Sequence, residues 1–160
     1  MSPAEIEPII REYIEQVVHM SLATVKDNKP WVCEVHFSYD DELNLYFTSS
    51  KNSRHAQELI ANPFVAGNIV TQHFKNQKVR CVEFEGEAEM LDGAEAEQTA
   101  YAAYVNRFGE SEGLLNEIRK DGDVRSFKIT VHDFFLFDSY GESRGKHHLP
   151  WKGKIAESSK

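Results

Sequence analysis

The chain has 160 residues, 41% of them hydrophobic and 28% charged, with a formal net charge of −8. That length and apolar share suit one domain with a sizeable core and exclude a disordered chain. The acidic balance excludes a nucleic-acid groove, which needs a broad basic face, and an anionic membrane surface. Cys33 and Cys81 are too few for a disulfide framework, no apolar run reaches transmembrane length, and no basic-then-apolar leader opens the chain. A cytoplasmic protein is expected.

Ser2, Pro3 and Glu5 form a helix start with a capping box. Ile6, Ile9, Ile10, Tyr13, Ile14 and Val17 then recur at helical spacing, which gives one apolar face. The period changes to two. Strands are predicted from His19 to Val25, from Trp31 to Ser38 and from Leu43 to Ser49, joined by the turns Asp27-Asn28-Lys29-Pro30 and Asp40-Asp41-Glu42. A helix opens at Arg54 and stops at Asn62-Pro63. Phe64 to Thr71 and Val79 to Leu91 read as the fourth and fifth strands. Asp92 is expected to cap a helix whose inner face carries Tyr101, Tyr104, Val105 and Phe108. A short helix over 111–119 and two strands, Val124 to Val131 and Phe134 to Ser139, complete the pattern. Residues 153–160 read as a disordered tail, so the domain is expected over 1–152. The fold expected is mostly β with flanking helices: six or seven antiparallel strands closed as a barrel, because closure hides sheet edges.

The run Thr48-Ser49-Ser50-Lys51-Asn52-Ser53-Arg54-His55 gathers hydroxyls and cations where a strand gives way to a helix. Unpaired amides and the positive end of the helix dipole suit a phosphate there, and Arg54 with Lys51 adds charge. A plain helix cap, Ser53 with two surface cations nearby, explains the same residues. Elsewhere the chemistry is thinner. Glu83, Glu85, Glu87 and Glu89 lie along one strand face, too evenly spread to converge on a cation. The seven histidines show no ligand spacing, so no metal site is expected. Cys33 reads as core. Phe134 to Phe137 reads as core or subunit interface. Residues 140–151 form a second basic cluster with two glycines, whose plain reading is a mobile surface loop, and Trp151 is expected to dock rather than hang free.

The ordered set Leu22-Ala23-Thr24-Val25, Lys29-Pro30-Trp31-Val32, Val35-His36-Phe37-Ser38-Tyr39-Asp40, Leu45-Tyr46-Phe47-Thr48, Ser53-Arg54, Asn62-Pro63-Phe64-Val65-Ala66 and Phe84-Glu85-Gly86-Glu87-Ala88-Glu89 resembles a known family. It is similar to the pyridoxamine-5′-phosphate-oxidase-like split barrels that bind flavin mononucleotide (FMN), nearest their YhbP-like branch. The resemblance implies a homodimer with FMN at the subunit interface and a small-molecule substrate. It implies that Arg54 grips the phosphate with Thr48, Ser49, Ser50 and Ser53, and that Val35, His36, Phe37 and Ser38 lie along the ring; beside them His55 is a weaker, pH-dependent cation and Lys51 is expected to make up charge. It further implies that the fifth strand and the C-terminal segment of the partner chain, the segment that carries Trp151, help to complete the pocket.

The chain departs from the family at several of these positions. His55 stands where family oxidases carry Lys, Cys33 and Ser38 stand where they carry Arg and Lys, and their C-terminal Arg-x-His substrate motif is absent. Oxidation of a vitamin phosphate is therefore not expected. An FMN-dependent oxidoreductase is expected, with His36 as the candidate proton-transfer group. A non-catalytic binder of flavin or another phosphorylated ligand and a haem-binding split barrel are the alternatives. Removing Arg54 is expected to cost flavin affinity on the order of 2–4 kcal/mol.

Overall fold

The computed structural model of the protein describes residues 1–114, 116, 122–141 and 144–151. Its elements run α1 (Pro3–Glu15), β1 (His19–Lys26), β2 (Lys29–His36), β3 (Ser38–Tyr39), β4 (Leu45–Ser50), α2 (Arg54–Ala61), β5 (Phe64–Val70), β6 (Arg80–Met90), α3 (Ala94–Phe108), β7 (Val124–Asp138) and β8 (Gly145–Pro150). The strands join one antiparallel sheet in the order β2-β1-β5-β6-β7-β4-β3. The far edge of β7 is shared: residues 124–129 pair with β4 and residues 133–138 with β8. The sheet curls into the expected split half-barrel.

Period-two alternation builds the interior. Leu22 on β1, Leu45 and Phe47 on β4, Val82 and Phe84 on β6, and Phe127, Ile129 and Leu136 on β7 are buried. Ile6, Ile10 and Ile14 of α1 and Leu59 of α2 pack onto the same cluster. Helix α3 lies on the other face of β4, where Ala100 and Ala103 cover Tyr46 and Leu91 in a small second cluster. Strand β4 is therefore packed on both sides, and that placement decides what its end can present.

Three expectations need correction. Strand β7 is continuous where the sequence predicts two strands. A bulge opposite Glu85 and Gly86 leaves His132 unpaired with β6, so the buried residues switch from Phe127, Ile129 and Val131 to Phe134 and Leu136. That change of parity imitates a break. Gly86 makes the bulge possible, since a Cβ there would lie 2.3 Å from the Thr130 carbonyl oxygen. Secondly, the basic segment before Trp151 is a strand, β8, which its polar side chains conceal. Thirdly, α3 is capped by Gly93 at φ 93°, a conformation that favours glycine, and not by Asp92. The helix expected over 111–119 is helical at 112–114 and 116, and its remaining positions lie outside the described residues, as does the tail 153–160.

Candidate cofactor site

The end of β4 and the start of α2 form a compact polar cluster. Ser53 caps α2 by accepting from the Ala56 amide at 3.4 Å, while Gln57 N donates to the Ser53 carbonyl at 3.0 Å. The amides of Arg54 and His55 come before the first intrahelical donor, Gln57 N, and have no helical partner by geometry. Ser49 Oγ lies 2.8 Å from His55 Nε2 and 3.2 Å from Ser53 Oγ, and Ser53 Oγ lies 3.2 Å from the same ring nitrogen. Burial holds His55 below its ordinary pKa, with Glu58 opposing the shift. The cluster at neutral pH is thus two hydroxyls, a neutral imidazole and two amides without a helical partner. Its donor set fits a phosphate.

Arg54 is held beside this cluster rather than left in solvent. Its Nε donates to Glu58 Oε1 at 2.8 Å, and its Cζ sits 4.1 Å from the centroid of Trp31 on β2. Glu58 Oε2 in turn accepts from buried Thr24 at 2.6 Å. The guanidinium remains half exposed. Sequence reading missed Glu58, Thr24 and Trp31. The signal for Glu58 was present, a carboxylate four residues after Arg54 on one helix face.

The remaining hydroxyls of the run do not join Ser49. Ser50 donates to Asp123 Oδ2 at 3.2 Å, and Lys51 N donates to the Asp123 carbonyl at 2.7 Å. Thr48 points to the opposite face of β4, as alternation requires. There it lines a cleft with His36, Phe37, Ser38, Tyr46 and the aromatic face of α3. Val35 faces the core. The outer wall of the cleft is Tyr101, Tyr104 and Phe108, with Tyr104 and Phe108 rings 5.1 Å apart. The aromatic stripe was visible in the sequence as an inner face, but nothing local said that it would close over His36. The cleft is narrow, with room for about one or two waters.

His36 packs edge-on against His19 with ring centroids 4.1 Å apart, and burial followed by the His19 charge lowers its pKa. Trp151 docks as expected, but at the other end of β4: its Nε1 donates to the Glu42 carbonyl at 2.8 Å and its ring meets Phe134 edge-on at 5.9 Å. In this chain it is built into the α1 side of the core. Among the described residues, no group of three or more His, Cys, Asp or Glu side chains is placed to hold a metal ion, and no helix is long and apolar enough to cross a membrane.

One broad open groove crosses β1, β5 and β6 on the outside of the sheet. Ala23, Ala66 and Glu85 form its floor, and Val32 and Phe64 stand on its rims, 59% and 63% exposed.

Comparison with known proteins agrees with this architecture. A UPF0306 protein of Photorhabdus laumondii is 27% identical over 136 residues, spanning 79% of this chain and 94% of that protein. The structure of HutZ, the haem storage protein from Vibrio cholerae, superposes with a TM-score of 0.68 at 25% identity, over 82% of this chain and 93% of that one. Campylobacter jejuni ChuZ has the same fold, with a TM-score of 0.75 at 17% identity, over 94% of this chain and 61% of that one. The sequence matches the pyridoxamine 5′-phosphate oxidase family over residues 6–138. By its sequence and by its split-barrel fold, this chain belongs to that family.

Proposed function

We propose that the protein is a cytoplasmic FMN-binding flavoprotein, with 1–152 as its binding domain, that acts as an oxidoreductase on a small molecule. The observation that carries this proposal is the convergence of Ser49, Ser53 and His55 at the start of α2 beside a restrained Arg54. Ser49, Ser53, the Arg54 and His55 amides and the outer edge of the Arg54 guanidinium hold the phosphate. Lys51, one residue beyond β4, adds positive charge in an acidic chain. The strand segment Val35 to Ser38 runs along the ring by its backbone, with the exposed His36 side chain toward it and Val35 turned into the core. Bound flavin supplies hydride and electron transfer, and the chain supplies binding and orientation. His36, kept neutral by burial and by His19, is the candidate proton carrier.

A homodimer accompanies this assignment. The groove over β1, β5 and β6 has apolar rims and sets Glu85 beside Ala23 and Ala66 on its floor, and a second copy seated there removes Val32 and Phe64 from water. Trp151, built into its own chain's core, belongs to the scaffold that carries β8.

The test is the absorption spectrum of the purified protein, with mass spectrometry of whatever denaturation releases. Flavin bands and released FMN are expected. In Arg54→Ala, FMN binding weakens by about 1.5–3 kcal/mol, the range for a charged hydrogen bond. This is smaller than the sequence alone suggests, because the guanidinium is half exposed.

A haem-binding role is the second proposal, favoured by the likeness to HutZ. His19 and His36 are exposed imidazoles at the end of the β1–β2 ladder, and neutral imidazole is a common axial ligand of haem iron. A Soret band that disappears in His36→Ala, without flavin bands, would replace the first proposal with this one.

A further inference from the structure

Arg54 is restrained by two contacts that a ligand does not supply. In its own plane, Nε donates to Glu58 Oε1 at 2.8 Å. Across its plane, Cζ stacks 4.1 Å from the Trp31 centroid. Glu58 itself is not free to move. Its side chain is 8% exposed, and its second oxygen accepts from Thr24, which is buried. The bonds from Thr24 and Arg54 favour its charged form and hold the carboxyl below its ordinary pKa. Thr24 is fixed in turn by the β1–β2 ladder, where it lies opposite Trp31. Indole and carboxylate are thus set by the same pair of strands and by the first turns of α2.

The consequence is geometric. An arginine side chain loses considerable rotamer freedom when it grips a ligand, and a guanidinium fixed beforehand loses less. With Nε engaged by Glu58, the edge left for a ligand is the one bearing Nη1 and Nη2, a two-pronged donor that matches two oxygens of one phosphate. The negative charge of Glu58 is taken up by Arg54 and the Thr24 hydroxyl, so it is not directed at the anion.

We propose that Glu58 and Trp31 are positioning residues for Arg54. The preference of this site for a phosphorylated over an unphosphorylated ligand then depends on two side chains that do not touch the ligand. This rests on the assignment of a phosphate to the start of α2.

Titrations with FMN and with riboflavin, followed by flavin fluorescence, give an affinity ratio that isolates the phosphate. Glu58→Ala lowers that ratio about tenfold, whereas Glu58→Gln, which keeps an acceptor for Nε and a partner for Thr24, stays within about threefold of wild type. Trp31→Leu lowers it about threefold and Trp31→Phe leaves it near wild type. Position 31 is 39% exposed, so Trp31→Leu leaves the core intact and decides the matter if Glu58→Ala fails to fold. A wild-type ratio near unity removes the phosphate site itself. A high wild-type ratio that both Glu58→Ala and Trp31→Leu leave unchanged removes only the positioning role.

Discussion

Thr48 and Ser49 are neighbours on β4, yet they serve two unlike regions. Ser49 turns inward with Phe47 to meet Ser53 and His55, and the result is polar, small and rich in donors. Thr48 turns outward beneath α3, among Tyr101, Tyr104 and Phe108, and the result is apolar and narrow. The strand period forces this division, since no extended segment can aim consecutive side chains at one ligand. A run of hydroxyls read as one site is therefore two, and the turn after Ser50, not the strand, brings donors together.

Phe47 joins the two regions. Its ring stacks on Phe127 with centroids 5.0 Å apart, lies 6.2 Å from the His55 ring, and backs the aromatic cleft. Phe47→Ala is expected to destabilise the protein by about 3–5 kcal/mol in chemical denaturation, and flavin binding fails with it. If that variant keeps full stability, the two regions do not share a support.

Tyr104→Ala separates them. It removes one wall of the cleft and an aromatic pair with Phe108, at a cost of about 1–2 kcal/mol in stability. The polar cluster lies on the other face of β4, so the affinity ratio of FMN to riboflavin stays at its wild-type value. A fall in that ratio would mean that the cleft, rather than α2, senses the phosphate.

The smallest effect is the pH response of His55. Its folded pKa lies below the ordinary value of 6.5 because of burial. The unfolded chain therefore takes up a proton more readily, and stability falls as pH drops from above 6.5 through the folded value. Melting temperatures measured between about pH 7.5 and pH 5 decline in the wild type and decline less in His55→Gln. Burial shifts His36 in the same direction, so a residual slope remains in that variant. A steeper slope in His55→Gln would show that the imidazole is stabilised in its charged form.

The same contrast explains what could be read in advance. The polar cluster is local: Ser49, Ser53, Arg54 and His55 lie within seven residues, and helix-start chemistry made them legible. Helix α2 with its Pro63 stop, the β1–β2 hairpin, the strand β4 and the apolar even face of β6 followed from period and turn residues. What stayed hidden depends on partners far along the chain. Trp31 reaches Arg54 only because α2 packs on the hairpin. Asp123 takes up Ser50 and Asn52 from 73 and 71 residues away. Strand β8 carries no apolar alternation and exists because β7 offers it an edge. The bulge at His132 disguised one strand as two, since the rule of alternation was correct on each side of it.

Phosphorus-31 NMR of FMN titrated with the protein probes the central claim at the atom concerned. The phosphate resonance is expected to shift on binding to the wild type and to shift less when Arg54→Ala is added at the same concentration. Flavin that binds, by its fluorescence, while its phosphate resonance stays where it is in free solution would contradict it.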